Sequence, residues 1–183
     1  LVDQAVGKIL WSLEASGAMD NTVVAYTSDH GEMMGSHSLV TKQVMYEEAV
    51  RVPFLLRVPF RNQKPHHVPQ PVSHIDTVPM MLELLGKKRP EGLPGQKDDH
   101  VFIEWTEEGA EKGPNARTVV SPDGFKLVLH DTDQSMLFDR NKDPLEMHNL
   151  YGKSEYATVT RRLRARIEGW QKRTGDQLAL GGV

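Results

Sequence analysis

Asp29, His30 and Gly31 stand side by side directly after an apolar run, and a polar stretch carrying His37 and Lys42 follows them. A carboxylate and an imidazole are both ligands for a divalent cation, and a glycine lets the backbone turn immediately afterwards. Neighbouring residues in a regular strand point to opposite faces, so Asp29 and His30 can serve one ion only where the chain leaves extended geometry. Taken alone, the three residues fit a capped turn with a locally bonded histidine better than a metal site. A nitrogen donor is uncommon for calcium, which leaves the identity of any metal open.

Lys42 follows Thr41 in the same polar stretch. An ammonium held near a sulfate or phosphate oxygen stabilises the charge that grows on a leaving group. The plainer reading of a loop lysine is a solvated charge. His37 is able to donate a proton or a hydrogen bond, against the plainer reading of an ordinary loop histidine. Glu47 and Arg51 stand four apart in the order that favours a helical ion pair, a structural role. His74 and Asp76 sit at the start of a helical pattern and read as capping or packing residues. His66-His67 has no third ligand nearby in sequence and reads as solvated, and Arg161, Arg162, Arg164 and Arg166 read as a wet basic helix face.

The elements that must position these groups follow from periodicity. Leu1, Val2, Ala5, Val6, Ile9, Leu10 and Leu13 repeat at the spacing of one helix face, ending near Gly17. Asp20-Asn21 makes a turn, and the β-branched run 22–27 predicts a buried, parallel strand whose C-terminal end carries Asp29 and His30, where open α/β sheets place ligands. Residues 35–41 lack apolar periodicity and predict a loop, 44–50 a short helical turn, and 52–58 a second strand of the same sheet with Pro53 at its start. After a loop over 59–71, Ile75, Val78, Met81, Leu82 and Leu85 predict a helix capped by Ser73 or Asp76 and closed by Gly86. Residues 87–99, rich in charge, proline and glycine, read as a linker. Beyond it, 101–105, 117–121, 126–130 and 136–138 predict short strands of an antiparallel sheet with a turn at Pro122-Asp123-Gly124. Tyr156, Val159, Leu163, Ile167 and Trp170 form an amphipathic helix face to pack on that sheet. The expected organisation is an α/β portion over residues 1–90 and a C-terminal subdomain over 100–183.

The bulk numbers agree with a packed globular unit. The 183 residues carry a formal net charge of -3 with both signs dispersed, which gives no reason to expect nucleic acid or an anionic membrane as partner. Cysteine is absent, removing disulfides, thiolate nucleophiles and cysteine-bound zinc together. No run of about 18 apolar residues is present, and the first residues do not have the layout of a signal peptide. An apolar helix stripe already in phase at Leu1 leads us to expect a piece of a longer protein.

The string Asp20-Asn21-Thr22-Val23-Val24, then Thr27-Ser28-Asp29-His30-Gly31-Glu32, then Gly35, His37, Lys42, Tyr46-Glu47-Glu48 and Arg51-Val52-Pro53 resembles the second half of the sulfatase catalytic domain. Pro71-Val72-Ser73-His74-Ile75-Asp76, running through Pro79 to Leu85-Gly86, resembles the helix that follows in that family. Leu137-Phe138-Asp139, Asp143-Pro144, Glu146 and Asn149-Leu150 are similar to the motif joining the family's C-terminal sheet to its last helix. The three matches stand in family order and span nearly the whole chain.

The resemblance implies part of the α/β alkaline-phosphatase-like sulfatase fold, with a small C-terminal antiparallel sheet packed by a terminal helix. It implies that Asp29 and His30 are two ligands of a divalent cation, usually calcium, that Lys42 contacts the sulfate and assists departure of the alcohol, and that His37 lines the substrate pocket. In the family the nucleophile is a formylglycine hydrate made from a Cys/Ser-x-Pro-x-Arg motif. These 183 residues contain no such motif and lack the family's paired N-terminal aspartates, so the chain alone is expected to be inactive. The implied substrate is a sulfate-ester small molecule or a sulfated sugar, and the implied location is periplasmic or secreted rather than cytoplasmic. A phosphonate or phosphate ester hydrolase of the same superfamily, or a non-catalytic binding piece, are the competing readings. An open sheet edge is expected, to be covered by the remainder of the parent chain or a second copy.

Overall fold

The computed structural model describes residues 1–61, 64–95, 98–107 and 114–181. Part of the linker expected over 87–99, residues 96–97, lies outside the described residues. The chain folds as two compact units, one made of Leu1–Asp29 and Val52–Val68, the other of His30–Arg51 and Pro69–Val183.

The first unit contains helix α1 (Val2–Ala15), a 3-10 turn at Met19–Asn21, and strands β1 (Val24–Thr27) and β2 (Phe54–Arg57). The expected parallel strand is instead antiparallel: β1 pairs β2 with Val24 opposite Arg57 and Thr27 opposite Phe54. The reason is connectivity. Residues 28–53 leave the end of β1 and return beside it, so the pair is a hairpin with a very long connection, not a crossover. The expected burial also differs. Val2, Ile9, Trp11, Leu55 and Leu56 are exposed, because a two-stranded sheet and one helix have too little apolar area to cover one another. The guanidinium of Arg57 ties β2 back to the Met19 carbonyl and to Asp20, 3.2 Å away.

The second unit holds the core. Strands β3 (Val101–Trp105), β4 (Ala116–Val120), β5 (Phe125–His130) and β6 (Met136–Asp139) form an antiparallel sheet in sequence order, as expected from the short runs over 101–105, 117–121, 126–130 and 136–138. Pro122-Asp123-Gly124 makes the β4–β5 turn, where Gly124 takes φ 92° and leaves room for the Asn141 side chain. Every residue of β4, and every residue of β5 after Phe125, is buried, so both faces of the sheet are covered. Two further helices belong to this unit ahead of the sheet, α2 (Glu47–Val50) and α3 (Thr77–Leu84). The last helix, α4 (Ala157–Thr174), lays Leu163 and Ile167 onto Val119, Leu127, Leu129 and Leu137, and stacks Trp170 on Phe102 at 5.7 Å. On the opposite face Met45 packs with Ala116 and Val128, joined by Val50, Ile103, Trp105 and Met136. The sheet is thus a middle layer between α4 and residues 45–50.

Outside β6, Asn149 accepts the Leu137 N–H at 3.0 Å and donates to the Ser135 carbonyl at 3.1 Å, while the Leu150 N–H donates to the Leu137 carbonyl at 2.8 Å. Helix α3 follows a 3-10 turn at His74–Asp76; Ser73 and Asp76 hold the N-cap positions without a side-chain cap hydrogen bond, and Gly86 (φ 65°) closes the helix. The arginine face of α4 is more engaged than a wet surface: Arg162 pairs with Asp123, Arg164 bonds the Tyr151 hydroxyl, and Arg166 meets Asp98 and Asp99. No helix among the described residues is long and apolar enough to cross a membrane.

Arg117, on β4, is clamped by Asp176 through two bonds of 2.8 and 2.9 Å. The Arg117 hydrogen bonds hold the Asp176 carboxyl down at about 2. A depressed carboxylate stabilises the fold fully above its unfolded value near 4 and loses that contribution as pH falls through about 2. Asp176→Asn is therefore expected to cost about 2 kcal/mol at pH 7 and almost nothing near pH 2, measured by urea unfolding at both pH values.

Candidate active site

Residues 30–32 are strapped to α2. The Gly31 N–H donates to the Ala49 carbonyl at 2.8 Å and the Glu32 N–H to the Glu48 carbonyl at 3.0 Å. Gly31 is required by this close approach, because a Cβ there would lie 1.8 Å from the Glu48 carbonyl oxygen. Its role is thus contact rather than a turn, and its φ is not among the positive ones.

The loop that follows is closed by its own backbone, Met33 N–H to Thr41 carbonyl at 2.8 Å and Gly35 N–H to Leu39 carbonyl at 2.9 Å, with Met33 fully buried beneath it. The Glu32 carboxylate accepts the Thr41 N–H at 2.5 Å. Four non-glycine residues here, Met34, His37, Ser38 and Thr41, have left-handed φ between 50° and 74°. Such conformations cost of order 1–3 kcal/mol each and cluster where function requires a particular backbone shape. For the β-branched Thr41, next to Lys42, the strain is greatest.

The loop brings the Lys42 ammonium to 2.6 Å from Nε2 of His30. On the other side of the ring, Nδ1 lies 2.7 Å from the Gly31 carbonyl oxygen. A carbonyl only accepts, so Nδ1 carries the proton and Nε2 presents its lone pair. His37 has different neighbours. Its ring stacks on Tyr46 at 3.8 Å, and Nε2 lies 3.9 Å from a Glu48 carboxylate oxygen. The Tyr46 hydroxyl reaches the Met136 sulfur at 3.5 Å, and its phenol is pushed up by burial and by the negative field of Glu146, Asp133 and Glu48. Asp29 belongs to the first unit, exposed, with the Ser28 hydroxyl 3.4 Å from its carboxylate.

Beneath α2 lies a charged cluster that periodicity did not reveal. Lys126, fully buried as the second residue of β5, places its ammonium 2.5 Å from Glu146 and 3.2 Å from Glu47. The Glu47 N–H donates to the other Glu146 oxygen at 3.0 Å, and Arg140 pairs with Glu47 at 3.1 Å. The Glu47–Arg51 pair expected from spacing is present at 3.8 Å with Arg51 largely exposed, and is the weakest partner in the set. Burial pushes the Glu146 carboxyl up from its ordinary value against the opposing pull of Lys126. A lysine inside an otherwise apolar strand run, Phe125-Lys126-Leu127-Val128-Leu129, was the sequence signal for this cluster.

His30 has the donor chemistry of a divalent-cation ligand, an imidazole whose proton is fixed on the far side of the ring and which is next in sequence to a carboxylate, and its Nε2 lone pair here faces the Lys42 ammonium. The one group of three potential ligands among the described residues, Asp98, Asp99 and His100, fits poorly. Arg166 already approaches all three, at 3.1, 3.1 and 2.8 Å, and Arg173 stands 3.6 Å from Asp98, so guanidinium charge occupies the place of an ion.

A sulfatase family model matches residues 1–87. The chain is 38% identical over 170 residues to the uncharacterized sulfatase YidJ of Escherichia coli (strain K12), a match covering 86% of this chain and 33% of YidJ. The chain belongs to the sulfatase family. This sulfatase chain superposes, with a TM-score of 0.85 and 29% identity, on the structure of BT4656 in complex with its substrate D-glucosamine-2-N,6-O-disulfate, covering 96% of this chain and 39% of that one. It also resembles the phosphonate monoester hydrolase of Silicibacter pomeroyi, with a TM-score of 0.79, 26% identity, and 94% and 39% of the two chains covered. Its fold is part of the alkaline-phosphatase-like sulfatase fold, and it spans about a third of the length of the curated relatives it matches.

Because the strap leaves no space for a methyl group, Gly31→Ala should force His30 and α2 apart. We expect a loss of about 2 kcal/mol or more in urea unfolding of the intact protein, with Gly124→Ala as a control for strain outside the strap.

Proposed function

We propose that this sulfatase chain supplies part of the active site of a sulfuric ester hydrolase. In this reading Asp29 and His30 are two ligands of a divalent cation, with calcium the expected ion, and Lys42 is the cationic group that binds the sulfate. The approach of the Lys42 ammonium to His30 Nε2 carries the proposal, because a strained loop delivers the sulfate-binding cation beside the ring atom able to ligate a metal; with an ion bound, the ammonium would turn from Nε2 to the sulfate and leave that lone pair to the ion. A divalent cation at these donors would polarise the sulfate oxygens as a Lewis acid.

The chain's own residues then have separable tasks. The Gly31 carbonyl holds the His30 proton on Nδ1, so Nε2 stays a lone-pair donor. Lys42 stabilises the negative charge that builds on the departing oxygen, which is strongest in a site sheltered from water. His37, stacked on Tyr46 beside Glu48, is assigned to the wall of the substrate pocket. The nucleophile, a formylglycine hydrate in this reading, is supplied from outside these residues, and the chain in isolation is expected to be inactive. The exposed faces of α1, β1 and β2 are assigned to packing against the rest of the catalytic domain.

A sulfated sugar is the favoured substrate class, supported by the likeness to BT4656 bound to a disulfated glucosamine. The likeness to a phosphonate monoester hydrolase supports a second reading, a phosphonate or phosphate ester substrate on the same residues. In the intact protein, Lys42→Ala is expected to lower kcat on a sulfate monoester about 100-fold or more without shifting Tm. Turnover equal to the parent's would remove Lys42 from the mechanism, and a parent faster on 4-nitrophenyl phenylphosphonate than on 4-nitrophenyl sulfate would favour the second reading.

A further inference from the structure

The cluster formed by Lys126, Glu146, Glu47 and Arg140 carries two positive and two negative charges, with Lys126 and Glu146 fully buried. Replacing such a cluster with apolar side chains is commonly neutral or stabilising, so stability alone is a weak reason for it. Its geometry offers another. Helix α2 is only four residues long, too short to hold its own conformation, and its first residue, Glu47, is gripped twice: by Glu146 at the main-chain N–H, and by Lys126 and Arg140 at the side chain.

What α2 holds is the proposed site. Its Glu48 and Ala49 carbonyls receive the Glu32 and Gly31 N–H groups, Gly31 receives the His30 proton, Glu32 receives the Thr41 N–H, and Lys42 follows Thr41. Tyr46, the residue before α2, stacks on His37. Ion pairs, hydrogen bonds, a ring contact and the peptide bonds joining Thr41 to Lys42 and Tyr46 to Glu47 together run without a gap from β5 to His30 and Lys42.

We infer that Lys126 and Glu146 are positioning residues, which fix α2 so that the 30–32 strap and the Lys42 loop keep their catalytic geometry. The catalytic part of this inference rests on the proposed ester hydrolysis; the hold on the strap does not. Glu146 accepts the Glu47 N–H, and Glu146→Gln retains an oxygen able to do so. The paired change Lys126→Met with Glu146→Leu removes the grip while leaving no buried charge of either sign on these two residues.

The test is hydrogen exchange by mass spectrometry on the intact protein, together with turnover of a sulfate monoester. The paired variant should exchange the Gly31 and Glu32 amides at least tenfold faster, with β4 and β5 amides and Tm unchanged, and kcat should fall at least tenfold. Glu146→Gln, which keeps an acceptor for the Glu47 N–H but leaves Lys126 only the Glu47 carboxylate, should fall between the parent and the paired variant in both readings. Unchanged exchange at Gly31 and Glu32, or acceleration spread equally over β4 and β5, would overturn the inference. So would faster exchange at the strap with parental kcat. A parent protein inactive on sulfate and phosphonate esters would defeat the functional reading and the catalytic part of this one, while exchange would still decide whether the cluster holds the strap.

Discussion

A buried ammonium on the central strand of a small sheet organises this molecule's chemistry. Lys126 lies on the sheet face turned away from α4, where an uncompensated charge costs several kcal/mol, so the chain must bring carboxylates to it. Glu146 comes from the segment after β6, where its backbone adopts φ 54°, and Glu47 comes from far upstream at the start of α2. Satisfying one charge therefore fixes three distant stretches of chain. On the same face of the sheet, Met45 packs with Ala116 and Val128, joined by Val50.

The C-terminal half was legible because its physics is local. Short apolar runs marked β3 to β6 within a residue or so of their ends, Pro122-Asp123-Gly124 marked a turn, and the spacing of Leu163 and Ile167 marked the buried stripe of α4. The first unit was less legible. Its apolar residues announced helix and strand correctly, yet strand direction depends on where the chain returns after residues 28–53, and burial depends on what surrounds the unit. Neither is encoded in the pattern of the run itself.

The same division holds at the site. Residue type pointed to His30 and Lys42, and the structure brings them together. Their means of approach was hidden, because left-handed φ at Met34, His37, Ser38 and Thr41 is imposed by closure of the loop and contradicts the ordinary preferences of those residues. Gly31 was recognised as special for a turn, whereas its lack of a side chain serves contact with Glu48. Glu47 was visible only as a helical partner of Arg51, since Lys126 and Glu146 stand too far along the chain for spacing to connect them. His37 was read as lining a pocket, and its neighbours Tyr46 and Glu48 give it a second duty as a brace for the residue preceding α2.

The segment running past β6 has a protective effect. Leu137 both donates to the Asn149 amide oxygen and accepts from the Leu150 N–H, while Asn149 also satisfies the Ser135 carbonyl. One side chain and one peptide thereby impersonate a fifth strand. A foreign polypeptide seeking to lengthen the ladder at Leu137 meets bonds already made, so this border of the sheet resists templated aggregation without relying on a charged or proline-rich rim.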